Sequence, residues 1–255
     1  MSDTPPTAPT AAMLVIGDEI LSGRIQDLNA HHLANRLSEL GIRLVEIRTV
    51  PDRHETIRDT VRDLSARVDT LFTSGGIGPT HDDITADAVA EAFGAAIDIR
   101  QDARALLVER YGEDGLNAAR LRMARIPDGA ALVDNPVSAA PGFRIGNAYV
   151  LAGVPEIFRA MLDGIEPSLK GGPPIRSHAF EVAVAEGDAA AALGDLQARH
   201  PAVAIGCYPL YRGRPMARVV LRSSDRAALA TAAADTRAAL AGLVGPADIT
   251  EQPPG

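Results

Sequence analysis

The spacing of apolar positions changes along this chain, and each change marks an element. Residues 11–16 form an unbroken apolar run closed by Gly17, the pattern of a strand buried on both faces. Leu33, Leu37 and Leu40 then recur at helical spacing through 29–40, and Gly41 ends that helix. Residues 42–50 read as a second strand that stops at Pro51. Ile57, Val61 and Leu64 give one face of a second helix over 56–67. A third strand covers 68–73 and a third helix 84–93, stopped by Gly94. Three strand–helix alternations predict βαβ units, with a mostly parallel sheet between layers of helices.

Residues 102–125 read as helical, broken between Gly112 and Gly115. A short apolar strand follows at 148–151, then Gly153-Val154-Pro155 and a helix over 156–162. Residues 164–175 hold Pro167, Gly171, Gly172, Pro173 and Pro174, which makes them a linker. Beyond it the order is strand 179–184, helix 188–200, strands 203–208 and 217–221, and helix 225–243 with Asp225 as its N-cap. The turn from Tyr211 to Pro215 joins the two strands. That order predicts a small ferredoxin-like α+β domain. The organisation expected is a disordered Pro/Thr-rich tail over 1–10, an α/β domain over 11–170 and the small domain over 176–248.

Charge narrows the partners. The 255 residues carry a formal net charge of −8, and Lys170 is the sole lysine. An acidic chain without a basic run is expected to bind neither nucleic acid nor anionic membrane. No apolar run approaches the ~20 residues that span a bilayer. Residues 1–10 lack the apolar core of a signal peptide. Cys207, alone, cannot form an internal disulfide, so the expected compartment is the cytoplasm. Cys207 reads as core. Tyr208-Pro209-Leu210-Tyr211 reads as packing, with a ligand-contacting lip as the alternative.

In a parallel sheet, ligands bind beyond the carboxyl ends of the strands. The first strand is followed by Gly17, Asp18 and Glu19, and the second by Pro51 and Asp52. The third runs into Ser74, Gly75, Gly76, Ile77, Gly78, Pro79 and Thr80, then His81, Asp82 and Asp83. Three glycines in four positions let backbone N–H groups approach an anion, and a helix start just behind favours phosphate. Asp82 and Asp83 oppose that charge, although Asp83 could also cap the helix from Ile84. With Asp18, Glu19 and Asp52 nearby, a Mg²⁺-like cation between carboxylates and phosphate resolves the conflict. Asp82, Asp83 and Glu19 are the expected metal ligands. Asp27 and Asn29 read as the start of a helix. The histidines show no metal-ligand spacing.

These residues carry a resemblance. Gly17-Asp18-Glu19-Ile20-Leu21-Ser22-Gly23, Asp27-Leu28-Asn29, and the run from Gly75 to Thr85 with its double Asp resemble the molybdopterin-binding domain superfamily, and within it the CinA-like group (competence/damage-inducible protein A). Asn135-Pro136 with Ala140-Pro141-Gly142-Phe143, and Gly153-Val154-Pro155-Glu156, are similar to that group's later motifs. The resemblance covers about residues 11–170. It implies a three-layer α/β fold in a homo-oligomer, dimer or trimer. It adds Asn135, Pro141, Gly153 and Pro155 to the ligand site, and places Asp52 and Asp83 at the two aspartates that matter in the molybdopterin enzymes. It implies metal-dependent hydrolysis of ADP-ribose- or FAD-like pyrophosphates, or binding of molybdopterin itself in cofactor metabolism. Ser138 and Ala152 depart from the group's usual Gly and Pro. The small domain with Tyr208-Pro209 resembles the region after the same domain in FAD synthases. The deamidase activity of full-length CinA is not expected of this sequence.

The first reading is therefore a metal-dependent pyrophosphatase with Asp83, Asp82 and Asp52 as its catalytic carboxylates. The second is a pterin-binding protein, and the third a non-enzymatic binding module. The carboxylate surplus favours the first, because plain phosphate binding would place Arg or Lys nearby.

Overall fold

The computed structural model describes residues 8–252. The chain divides into two compact units, one holding residues 8–37 and 42–170, the other 38–41 and 171–252.

In the first unit β1 (Thr10–Ile16) leads into the short α1 (Asp18–Leu21), then α2 (Asn29–Glu39), β2 (Arg43–Val50), α3 (His54–Ser65), β3 (Thr70–Ser74) and α4 (Thr85–Phe93). A second half follows: β4 (Ile97–Ile99), α5 (Gln101–Tyr111), α6 (Ala118–Arg122), β5 (Arg125–Pro127), β6 (Ala131–Val133), β7 (Gly142–Ile145), β8 (Ala148–Leu151) and α7 (Pro155–Ile165). Six strands form one sheet in the order β2-β1-β3-β8-β7-β6. β2, β1, β3 and β8 run parallel, and β7 runs against both β8 and β6. This is the mostly parallel α/β sheet expected.

β1 is buried along nearly its whole length because both faces of the sheet are covered. Ala12, Leu14 and Ile16 join a core with Ile57, Val61 and Leu64 of α3 and Val89 of α4. Ala11, Met13 and Val15 alternate to the opposite face and are buried as fully. α2 buries Leu33 and Leu37, and α7 buries Phe158, Met161 and Leu162. Helices on both faces make three layers.

The structure alters several expectations. Of the tail expected over 1–10, residues 1–7 lie outside the described residues. Thr10 is instead the first residue of β1, clamped where its N–H and hydroxyl both donate to Asp69 Oδ2 at 2.7 Å. The helical stretch expected over 102–125 breaks where Gly112 and Gly115 predicted, but ends at Arg122, and Arg125 begins β5. α7 runs on to Ile165 and a 3₁₀ turn occupies Glu166–Ser168, so the Pro/Gly stretch is structured at its start.

The second unit contains β9 (Arg176–Val182), α8 (Glu186–Arg199), β10 (Ala204–Tyr211), β11 (Pro215–Ser223), α9 (Arg226–Leu243) and β12 (Ile249–Gln252). Its antiparallel sheet has the order β10-β11-β9-β12, the ferredoxin-like arrangement. β12, beyond the boundary expected at 248, pairs with β9 as the fourth strand. Phe180, Val219 and Leu221 pack with Leu193 and Leu196 of α8 and Leu229 of α9. Cys207 packs at the edge of this core. Asp225 caps α9 as expected, its Oδ1 accepting from the N–H groups of Ala227 and Ala228 at 2.9 and 3.0 Å.

Removing that cap by Asp225→Ala is expected to cost about 1 kcal/mol. Native-state hydrogen exchange of the first-turn amides of α9 should speed up about fivefold. Unchanged exchange would show that packing alone holds the helix start.

Candidate functional site

The parallel strands β1, β2, β3 and β8 deliver their carboxyl ends to one edge of the sheet, and the unusual loops gather there. The Gly17 amide donates to Val50 O at 3.2 Å, and the Gly75 amide to Leu151 O at 3.2 Å. Two glycines are obligatory on conformational grounds. Gly75 has φ +107° and a Cβ there would lie 2.2 Å from Ile16 O. Gly76 has φ +69° and a Cβ there would lie 2.1 Å from the hydroxyl of fully buried Thr85. Only a side chain reduced to hydrogen allows the loop this close to β1 and α4.

One side chain ties two of these ends to the start of α2. Asn29, 3% exposed at the start of α2, donates through Nδ2 to Ser74 Oγ at 2.8 Å and to Gly153 O at 2.7 Å. Asp27 caps the same helix by accepting from Asn29 N and Ala30 N at 3.0 and 3.1 Å. Ser74, expected to face a ligand, is 2% exposed and serves this lock instead.

The loops enclose a cleft of about 580 Å³. Of the residues expected at the site, Glu19, Gly75, Gly76, Ile77, Gly78, Pro79, Asp83, Asn135, Gly153 and Pro155 line it. Gly17, Asp18, Asp52, Ser74, Thr80 and Asp82 are not in its wall, and Pro141 lines a separate small hollow with Asp83 and Arg122. Asn135 is occupied with its own loop. Its Nδ2 donates to Ser138 Oγ and Ala140 O at 2.7 and 2.8 Å, and its Oδ1 accepts from Val137 N and Ser138 N, each at 3.1 Å.

Asp83 does not cap α4, which begins at Thr85 behind an Ile84 without a side-chain cap. Its Oδ2 instead accepts from Thr80 N at 2.7 Å. Thr80 Oγ1 lies 2.5 Å from both Asp82 Oδ1 and Asp83 Oδ2. The hydroxyl has one proton for two carboxylates. The hydrogen bond from Thr80 is the main reason that the Asp82 carboxyl is held below its ordinary value. The start of α4 is not the open helix end either, since its Thr85 amide donates to Gly76 O at 3.0 Å. α7 supplies that end: it begins at Pro155 with no side-chain cap, and Val154, Pro155 and Ile157 line the cleft.

Asp52 accepts from Asp18 N at 2.8 Å and so fixes the loop that carries Glu19. Burial raises its carboxyl above the ordinary value. The Asp18 hydrogen bond opposes this, and the charges of Glu19, Asp18 and Asp82 add to it. The carboxylates of the three loops thus sense one another. Among the described residues, no group of three or more His, Cys, Asp or Glu side chains converges to hold a metal ion.

Sequence reasoning missed the far wall. Tyr111 at the end of α5, Arg120 on α6 and Met123 after it line the cleft. The Arg120 guanidinium lies 4.6 Å from the Tyr111 ring centroid. These residues sit in a stretch whose apolar spacing signals only a helix. Their meeting depends on the turn between the two helices.

Residues 12–171 match the family described as a probable molybdopterin binding domain, and residues 174–246 the one described as FAD synthase, middle domain. A protein of Pyrobaculum calidifontis is 36% identical over 212 residues, 79% of this chain and 81% of that one. A CinA-like protein of Citrifermentans bemidjiense is 41% identical over 63% of this chain, and one of Myxococcus xanthus is 35% identical over 76%. The match spans only 40% and 50% of those two CinA-like relatives. The crystal structure of a CinA protein of unknown function from Thermoplasma acidophilum superposes with a TM-score of 0.60 at 34% identity, over 63% of this chain and 98% of that one.

Two outcomes follow from this geometry. A carboxyl whose folded pKa is raised contributes stability that is present at low pH and lost as pH rises through the folded value. Asp52→Asn keeps an acceptor for the Asp18 amide while removing the charge. Its Tm should exceed the parent's at pH 7, and the gain should disappear as the pH falls below the ordinary Asp value of about 3.9. A lower Tm at pH 7 would contradict the like-charge account. Gly76→Ala should destabilise by roughly 1–3 kcal/mol through its left-handed backbone and the blocked Cβ; urea unfolding measures this, and a neutral result would mean that the loop relaxes freely.

Proposed function

Because the chain belongs to the molybdopterin-binding-domain family through residues 12–171, we propose that its cleft hydrolyses the pyrophosphate link of a nucleoside diphosphate compound, with a divalent cation as cofactor. The observation that carries this reading is the composition of one wall. The open backbone of Gly75, Gly76 and Gly78 lines the same cleft as the carboxylates Glu19 and Asp83. Backbone amides and the uncapped start of α7 attract a phosphate, and the two carboxylates repel it. A hard cation removes the repulsion.

The donor set suits such an ion. Carboxylate oxygens are the donors that Mg²⁺ or Mn²⁺ prefers. Mg²⁺ commonly takes one or two carboxylates and completes its shell with substrate phosphate and water. Three converging side chains are therefore not required. Glu19 and Asp83, the two carboxylates in the cleft wall, would hold the ion; Asp82, expected as a third ligand, lies outside that wall. When bound, it supplies Lewis-acid polarisation of the phosphoryl oxygens and neutralises charge that develops on them.

The chain's own residues then bind and orient. The loop amides beyond Gly75, whose own N–H is taken by Leu151 O, and the first amides of α7 after Pro155 hold the diphosphate. Thr80 fixes the carboxylate of Asp83. Asp52 is a positioning residue, acting on Glu19 through the Asp18 amide. Water adds to one phosphorus, the bridging P–O bond breaks, and two phosphate monoesters leave. Tyr111, Ile25, Met123 and Val154 offer an apolar wall to the organic part of the substrate.

That apolar wall also favours the second reading, a molybdopterin-binding protein in which the pterin phosphate lies in the Gly loop without turnover. The test is release of monoester products from ADP-ribose, FAD, NAD and adenylylated pterin, with Mg²⁺, with Mn²⁺ and with chelator. Metal-dependent cleavage is expected, falling at least a hundredfold in Asp83→Asn, while inhibitor binding changes only a few-fold. No cleavage with any metal, alongside tight pterin binding, would replace the hydrolase with the second reading.

A further inference from the structure

The second unit has one sheet face covered by α8 and α9 and one open face. Strand register assigns the residues. Phe180, Val219 and Leu221 point to the helices. Tyr208 pairs with Arg218, Gly206 with Val220, and Arg222 with Ser177, on the alternate positions that face away. This face is not flat. It holds a hollow of about 420 Å³ lined by Ser177, Tyr208, Arg218, Val220, Arg222 and Gln252. A hollow of that size accommodates a small organic ligand.

Its chemistry is the reverse of the chain's average. Residues 171–255 carry eight Arg and eight Asp or Glu, so the net charge of −8 belongs to the rest of the chain. The hairpin of the unit is one-sided in charge. Residues 204–223, the β10–β11 hairpin, carry four Arg and no acid. Glu186, Asp188, Asp195 and Asp235 lie on the helices. Arg212 pairs with Glu181 at 3.1 Å and Arg214 with Asp248 at 3.2 Å. Among the described residues neither arginine in the hollow forms an ion pair; Glu181, opposite Arg218 across the β9–β11 pair, is held by Arg212. Arg218 donates to Gln252 Oε1 at 2.9 Å, and its buried Nε has no acceptor among the described residues. Arg222 is exposed.

Tyr208 supplies a second kind of recognition. The expectation that it packs is not met, since Tyr208 is 52% and Tyr211 79% exposed. The Tyr208 ring lies over Gly206, where an added Cβ would come within 3.1 Å of its hydroxyl. The glycine lets the ring lie along the strand and leaves its outer face free. A planar π-face beside two guanidinium groups that form no ion pair among the described residues matches a ligand that joins an aromatic ring to a phosphate.

We propose that this open face is a binding site for a mononucleotide, with the base stacked on Tyr208 and the phosphate held by Arg218 and Arg222. Guanidinium groups grip a phosphate through paired N–H donors. Ser177 and Gln252 offer hydrogen bonds at the rim. One ring and one pair of arginines fit a single nucleotide rather than a strand, which would need a row of stacking platforms.

The test uses the full chain without divalent metal, titrated with AMP, adenosine, inorganic phosphate and octa-adenylate. Calorimetry gives the affinities and amide chemical shifts give the location. AMP is expected to shift the amides of Ser177, Tyr208, Val220 and Gln252, and to bind at least tenfold tighter than adenosine or phosphate. Arg222→Ala and Tyr208→Ala alter exposed side chains. Each should weaken AMP at least tenfold with an unchanged circular dichroism spectrum. Equal affinity for phosphate and AMP would reduce the face to an anion site and overturn the proposal. So would octa-adenylate binding tenfold tighter than AMP, shifts confined to Gly75–Gly78, or no binding at millimolar AMP.

Discussion

The site depends on the side chain of Asn29. Its amide reaches the end of β3 at Ser74 and the loop after β8 at Gly153, while its backbone begins α2. Three segments far apart in sequence are thereby fixed at one sheet edge. A buried amide of this kind holds its place because each lost partner costs about 1–3 kcal/mol. Gly153 then lies so near the Gly loop that an added Cβ would be 3.1 Å from Gly75 Cα. The backbone surface offered to a ligand follows from that closeness.

Around the lock the chain accumulates negative charge that does not stabilise the fold. Asp52 is pushed up by burial and by its acidic neighbours, and Thr80 divides one hydroxyl between two carboxylates. Ordinary surface acids on this protein behave differently. Arg48 and Arg67, for example, hold Glu46 below its ordinary value. The contrast marks the cleft as a place where charge serves binding at some expense of stability. The β10–β11 hairpin of the second unit shows the opposite imbalance, with four Arg and no acid.

Much of this was legible in the chain. The strands that line the cleft were clear because parallel strands buried on both faces are continuous apolar runs, and their loops carried Gly, Asp and Glu where strand residues would not. α3 and α4 were legible from one-sided spacing of Ile57, Val61 and Leu64, and from Gly94. The short antiparallel strands β4 to β7 were not, since three or four residues give no period to detect. Tyr111 and Arg120 were missed for a related reason: each reads locally as an ordinary helical residue. Asp83 illustrates a subtler limit. A carboxylate two residues before a helix and three after a threonine can serve either neighbour, and only the loop's path decides that it meets Thr80.

The sequence alone determined the fold class, the edge of the sheet where chemistry collects, and the glycines that bring backbone close to a ligand. These are local consequences of apolar period, strand ends and absent side chains. Tertiary structure decided which of those residues face the cleft and which hold it together. It turned Ser74 and Asn135 inward and gave the open helix end to α7. It also built the far wall from a stacked Tyr111 and Arg120, and left Tyr208 exposed. Each outcome rests on partners far apart in the chain, and pairings across such distances are fixed by packing and hydrogen bonding, which no local pattern records.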